Sequence, residues 1–396
     1  MKSVLSIPKR GRAVSLIAVG VLVASAALSG CASSSAPEAA SGSSSDAEAA
    51  AASATANMEK WYAGTDRELP TASPTPVKNA NVWIISCGQT AEGCASGARG
   101  AMDAGKALGW KMTLVDGKFT PQVWNAGIRQ AIADKADAVL LDIVDCGPVK
   151  ASLDEARKAG VKIYGAYSFD CTDDSASEKP RFDAEVNYGN DFPTFGEYIQ
   201  GYGASMADYI IAQTDGKAKT IEFTHNELKV VKYIVKGFDA RLADCKSCET
   251  LAVQDITLAD LGTTLQQKAA TLLSRFPQAN AVFGMYDSAI SLGIGAAVMA
   301  SNRHDDLVVT GGEGFAANAG LIRDNKGQNF FAGSPSTWTG WASVDGINRM
   351  LAGEDQVDAG IGFRSADKDH NLPATNVSYD GTKDYKSNYL KIWGLK

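Results

Sequence analysis

From Asn81 to Gly333 short apolar runs of strand length alternate with longer stretches whose apolar residues recur at three- and four-residue spacing. Such alternation calls for parallel strands joined by helices that cover both faces of a sheet. It predicts strands at Val82–Ser86, Lys111–Asp116, Ala138–Ile143, Lys162–Tyr167, Lys219–Thr224, Thr250–Asp255, Ala281–Met285, Leu307–Gly311 and Asn329–Gly333. Helical spacing is clear in Val123, Ile128, Ala131 and Ile132, and again in Leu261, Leu265, Ala269, Leu272 and Leu273. Turn-forming residues gather at Tyr188-Gly189-Asn190-Asp191-Phe192-Pro193, with four strands before them and five after. Each side is the size of one domain, so the expected class is α/β, with two doubly wound parallel-sheet lobes. A chain of 396 residues with 45% hydrophobic content can bury cores of that size.

The first thirty residues follow an export pattern: Lys2, Lys9, Arg10 and Arg12, an apolar run from Ala13 to Leu28, then small residues before a cysteine. Leu28-Ser29-Gly30-Cys31 resembles a bacterial lipobox, which implies a signal peptide over 1–30 and lipidation of Cys31 as a membrane anchor. Ala32 to Thr55 is almost all Ala, Ser, Gly and acidic residues, so 31–76 reads as a flexible tether. Trp61 and Tyr62 are too apolar for a pure tether. The net charge of −7 becomes −11 once the four basic residues of the signal are removed. That acidity disfavours a nucleic-acid partner.

Six further cysteines fall into near pairs, Cys87 with Cys94, Cys146 with Cys171 and Cys245 with Cys248, as expected of disulfides in an exported protein. Cys245-Lys246-Ser247-Cys248 follows an expected helix, Val230 to Leu242, whereas a redox CxxC opens one. His225, His304 and His370 stand at no metal-ligand spacing, so neither a metal nor a cofactor is expected. No Gly-x-Ser-x-Gly elbow, Walker loop or His-Glu-x-x-His occurs. An exported hydrolase working through Asp142, Asp145 and Asp287 stays open as a minor reading.

Several stretches together resemble a known family, the type I periplasmic solute-binding proteins of ABC transporters, in the ribose-binding-like branch. They are Val82-Trp83-Ile84-Ile85-Ser86, the run from Ala126 to Val139, Ala156 to Ile163, Ala279 to Phe283, Asp287 ahead of Leu292-Gly293, and Val308 to Gly314. The resemblance implies a binding protein and not an enzyme, with three hinge crossings near Tyr188–Pro193, Ser334–Thr337 and Thr375–Asp380. Lobe 1 would then be 77–190 plus 335–378, and lobe 2 would be 191–334 plus 379–396. It further implies a monomer on the extracytoplasmic face of the membrane, a small solute, a sugar by default, and ABC permease subunits as partners. A sensor for an aromatic or other non-sugar solute uses the same fold and remains an alternative.

In open parallel sheets ligands bind beyond the carboxyl ends of the strands, which selects residues just after each one. These are Gln89 and Thr90 between Cys87 and Cys94, Asp142 after the third strand, and Tyr167, Ser168 and Phe169 after the fourth. In the second half they are Asn226, Tyr286 and Asp287, the last two matching the family's Asn-Asp pair with Tyr in place of Asn. By resemblance Lys232 matches a cationic ligand contact, Glu313 stands where the family usually has Asp, and Ser334 where Gln or Asn often sits. Trp338 could stack on an apolar ring face. Tyr167-Ser168 replaces the Asp-Arg of ribose-type sites, so the expected cleft is richer in aromatics and poorer in cations.

Overall fold

The computed structural model describes residues 42–396, so the expected signal peptide, Cys31 and the start of the tether lie outside the described residues. Lobe 1 is built on β1 (Asn81–Ser86), β2 (Lys111–Asp116), β3 (Ala138–Asp142), β4 (Lys162–Ala166) and β5 (Ala184–Glu185), in the order β2-β1-β3-β4-β5 and all parallel. Lobe 2 is built on β6 (Lys219–Thr224), β7 (Glu249–Asp255), β8 (Ala281–Phe283), β9 (Val308–Glu313), β10 (Phe330–Gly333) and β11 (Arg364–Asp367). Their order is β11-β10-β9-β8-β6-β7, and every pair is parallel except β10 with β11. Every side chain of β3, Ala-Val-Leu-Leu-Asp, is buried, as a strand covered on both faces requires. Ser86, Asp116 and Asp142 end in register. The loops that follow therefore emerge along one edge.

The helices are α1 (Gly42–Ala63), α2 (Glu92–Ala107), α3 (Pro121–Ala133), α4 (Cys146–Lys158), α5 (Phe195–Gln213), α6 (Lys229–Leu242), α7 (Thr263–Arg275), the single turn α8 (Asp287–Ala289), α9 (Gly295–Ala300), α10 (Ala316–Arg323), α11 (Ser336–Ala352) and α12 (Tyr385–Ile392). In lobe 1, α2 and α11 meet backbone to backbone. A Cβ on Gly100 would lie 2.3 Å from the Thr337 carbonyl oxygen, and one on Gly340 2.3 Å from that of Gly97. Only glycine permits so close an approach.

Three segments depart from expectation. Residues 42–63, read as tether, form α1, because alanine has the highest helix propensity and Ala47, Ala54 and Met58 find a surface to bury against. That surface is α5 and β11 of lobe 2. Asn57 Nδ2 and Trp61 Nε1 donate to the Asp208 carboxylate at 3.2 and 2.8 Å, and Arg241 pairs with the same group at 2.5 Å. Tyr62 donates to Asp367 and stacks on His370, with ring centroids 4.0 Å apart. Residues 364–367, assigned to lobe 1, add β11 to the lobe 2 sheet. Conversely α12, assigned to lobe 2, packs on α11 of lobe 1, where Trp393 stacks on Trp341 at 5.7 Å and its Nε1 donates to Asp345 at 2.8 Å.

The chain thus passes between lobes at residues 186–194, 334–335 and 368–384, near the three expected places, and also at 64–80 and 353–363. Arg67 ties several of these segments together. Its guanidinium makes two hydrogen bonds to Asp358, at 2.7 and 2.9 Å, and others to the carbonyls of Thr65, Ile361 and Tyr188. Beside it Tyr188 stacks on Tyr198 at 4.4 Å, and Tyr198 meets Phe363 edge-on at 5.6 Å. Tyr188, at one of the expected crossings, belongs to this hinge cluster.

Candidate functional site

A space of about 930 Å3, including its open mouth, lies where the carboxyl edges of the two sheets face each other. Lobe 1 lines it with Cys87, Ala91, Gly93 and Cys94 from the loop after β1 and the start of α2, and with Phe119, Ile143 and Tyr167 after β2, β3 and β4. Lobe 2 contributes Ile199 and Tyr202 of α5, Leu228, Val230, Val231 and Ile234 around the start of α6, and Leu258 and Leu261 after β7. Tyr286, Ser288 and Glu313 follow or end β8 and β9, Ser334 comes from a crossing and Ser336 opens α11. The space continues outward into a more polar hollow where Asp145, Glu227, Lys229 and Thr257 sit.

Four of the lining residues have left-handed backbone: Phe119 (φ 52°), Ile143 (φ 55°), Tyr167 (φ 50°) and Glu313 (φ 75°). This region is unfavourable for any side chain and most of all for a β-branched one such as Ile143. Such strain is commonly held where a site needs side chains aimed against their backbone's preference. Here it turns residues at strand ends into the cleft.

Polar lining groups are largely engaged with one another. Tyr167 Oη is 2.8 Å from both Ser334 Oγ and Thr339 Oγ1. The Glu313 amide donates to Tyr202 Oη at 2.5 Å, and Tyr286 Oη is 2.9 Å from His225 Nδ1. Glu313 Oε2 accepts a 3.3 Å hydrogen bond from the Asp287 amide. Burial, and then the nearby Asp287 carboxylate, push the Glu313 carboxyl well above the usual range. Burial likewise raises the Tyr167 hydroxyl to about 12.

Of the thirteen expected contacts, Tyr167, Tyr286, Glu313 and Ser334 line the space and nine do not. Asp287 stands behind the wall. Its Oδ2 accepts from the Gly314 and Phe315 amides at 2.8 Å each and its Oδ1 from Gln328 at 3.0 Å, so it clamps the turn that presents Glu313. Burial lifts its carboxyl to about 7. Asp142 is buried inside lobe 1, its carboxyl pushed up to about 8 for the same reason. Gln89 turns inward to donate to Ser86 Oγ at 2.8 Å, and Thr90 is exposed. Ser168 donates to backbone carbonyls of Leu141 and Ala166 and accepts from the Val144 amide. Asn226 and Lys232 are exposed, and Trp338 is wholly buried, stacked on Tyr385 at 5.5 Å.

Phe169 works between the lobes instead, stacked on Tyr233 at 4.5 Å with Lys229 Nζ 4.9 Å above its ring. Lys229 also reaches across the mouth to Asp174 at 2.7 Å. Deeper in, Glu313 of lobe 2 comes so near α2 of lobe 1 that a Cβ on Gly93 would stand 2.5 Å from its Oε1. The two walls are therefore in contact across the cleft.

The sulfurs of Cys87 and Cys94, Cys146 and Cys171, and Cys245 and Cys248 lie at bonding distance, with Cα separations of 5.8, 5.1 and 5.3 Å. Cys146, Asp170 and Cys171 converge as metal ligands might, but the cysteines are paired and the Asp170 carboxylate accepts from the amides of Cys171, Arg181 and Phe182. Asp142, Asp145 and Asp287, the carboxylates of the hydrolase reading, do not converge on one space. Among the described residues no helix is long and apolar enough to cross a membrane.

Sequence reasoning selects no aliphatic residue for the site, yet Ile143, Ile199, Leu228, Val230, Val231, Ile234, Leu258 and Leu261 line it. Phe119 also lines it, three residues beyond the end of β2.

No curated protein sequence shows significant similarity to the chain. Among solved structures, the solute-binding protein of a 5-methylthioribose transporter from Thermotoga lettingae is 14% identical, with a TM-score of 0.65 over 81% of this chain and 99% of that one. A glucose-galactose binding protein from Geobacillus stearothermophilus is 16% identical, with a TM-score of 0.62 over 74% and 99%. A subunit of an ABC sugar transporter from Rhodobacter sphaeroides is 17% identical, with a TM-score of 0.60 over 73% and 99%. These likenesses establish the two-lobe fold. Residues 85–355, well over half of the chain, match the periplasmic binding protein domain, and the chain belongs to that family.

Proposed function

We propose that this protein is the extracytoplasmic solute receptor of an ABC importer, capturing a small solute between its lobes and handing it unchanged to a membrane permease. The observation that carries this reading is the single space walled by both lobes and by a crossing, with strand-end residues bent into it. Solute seats on one wall, rotation about the crossings brings up the other, and the ligand shifts the open–closed equilibrium by its greater affinity for the closed form. The Lys229–Asp174 pair and the Phe169–Tyr233 stack form only when the walls meet, so they favour closure. A sugar or polyol is the default class, because relatives of the same fold bind such molecules.

In the same proposal Cys31 carries the lipid that holds a monomer at the membrane, and the three cysteine pairs are disulfides formed outside the cytoplasm. A thermal-shift screen of the full chain against sugars, polyols and aromatic acids tests capture, since a ligand that binds the folded state raises Tm. Recovery of the hit unchanged after long incubation supports a receptor. Turnover of the hit, or no stabilisation by any member, would count against it. Incorporation of labelled fatty acid that Cys31→Ser abolishes would support the anchor.

A further inference from the structure

The lining of the cleft is unlike what a polyhydroxylated guest requires. Each hydroxyl taken out of water needs donors and acceptors in the wall, and an unmet one weakens binding. Here the belt of lining between the inner end and the outer polar hollow is hydrocarbon from both lobes: Phe119 and Ile143 of lobe 1 and Leu228, Val230 and Leu258 of lobe 2 border both spaces, with Leu261 on the inner side. The tyrosine hydroxyls at the inner end are already bonded to Ser334, Thr339, His225 or the Glu313 amide. Glu313 carries the one carboxyl that lines the space, and among the described residues no protein donor reaches its Oε1. One polar corner thus adjoins a long apolar wall.

We propose, on the strength of the receptor reading above, that the solute is amphiphilic: an alkyl, alkylthio or aryl body lying along the apolar belt, with a short hydroxylated end that donates to Glu313. The two halves of the belt come from opposite lobes, so the apolar body is what closure buries. Its desolvation then contributes in proportion to its area. The inner end supplies orientation through Glu313, whose carboxyl, held by the Asp287 amide, is already placed.

Matched pairs separate this from ordinary sugar binding. Ribose against 5-methylthioribose, and glucose against phenyl β-D-glucopyranoside, are titrated calorimetrically into the full chain. The inference expects the substituted member of at least one pair to bind at least tenfold more tightly, and Leu228→Ala to shrink that ratio threefold or more. Glu313→Gln should weaken the tight member about tenfold, whereas unchanged affinity would overturn the role given to Glu313. Equal affinity within both pairs, preference for the unsubstituted sugars, or no binding of either substituted member overturns the inference. Tight binding of a plain sugar would do so while leaving the receptor reading intact, and that reading fails separately if the wider screen finds no ligand or finds turnover.

Discussion

In lobe 1 the cleft residues leave the ends of strands and stand beside two cysteine pairs, Cys87 with Cys94 in the wall itself and Cys146 with Cys171 just behind it. In lobe 2 most come from the start of α6 and the loop after β7, and the one cysteine pair there, Cys245 with Cys248, sits at the far end of that helix. One wall has its loops bridged by cysteine pairs at bonding distance, and the other is held by packing of branched aliphatic side chains that can shift by a rotamer. A receptor built this way has a rigid template and an adjustable cover. Ligand shape should then be read mainly by lobe 1 and accommodated by lobe 2.

The largest blow to that contrast is removal of the Cys146–Cys171 link, which spans 25 residues. The double change Cys146→Ser with Cys171→Ser should lower unfolding free energy by about 3 kcal/mol in a urea titration. Hydrogen exchange should rise around residues 143–147 and 167–171 and stay unchanged at 228–234. Equal acceleration in both lobes would refute the division into template and cover.

Gly93→Val tests how closely the walls must meet. Its Cβ would collide with Glu313 Oε1, so closure should cost about 1–3 kcal/mol and affinity should fall roughly ten- to hundredfold, read by calorimetry. Unchanged affinity would mean that the ligand-bound walls stand further apart.

Asp142 sharpens the comparison within lobe 1. Its carboxyl is raised by burial from the usual carboxylate range to about 8, so the folded state holds this proton more tightly than the unfolded chain does. The stability it contributes is complete below about pH 4 and drains away as pH climbs through about 8. Asp142→Asn should therefore flatten stability between these limits and raise it by about 1–3 kcal/mol at pH 8. Chemical denaturation across pH would show it.

Lys229→Met is the mildest change. The pair with Asp174 is half open to solvent on the acidic side, so its loss should cost under about 1 kcal/mol of closure and matter less in high salt. A larger, salt-independent loss would make the mouth, and not the apolar belt, the seat of affinity.

Most of the fold was legible because parallel strands buried on both faces leave unbroken apolar runs, as in Ala138–Leu141 and Ala281–Phe283. The two strands missed are an edge of two residues, Ala184–Glu185, and the antiparallel Arg364–Asp367, neither of which carries that mark. Residues 42–63 were misread because an Ala/Ser helix with little apolar surface looks like a linker until a neighbour covers it. At the site, the strand-end rule selects Tyr167 and Tyr286 and the resemblance selects Glu313, and all three line the space. That rule misjudged Asp287, since a carboxylate that binds solute and one that clamps backbone amides look alike in sequence. Leu228, Leu258 and their neighbours carry no chemical signature apart from that of core residues.

α1 has a consequence for how such a receptor would stand at a surface. It grips lobe 2, and Cys31 lies only eleven positions before its first residue, a reach of at most about 40 Å when drawn straight. If Cys31 carries the proposed fatty chains, lobe 2 would be the moored half and lobe 1 the swinging one. On that proposal delivery would be a jaw opening away from its mooring, and lengthening the leash upstream of Gly42 should alter handover to the importer without altering what is held.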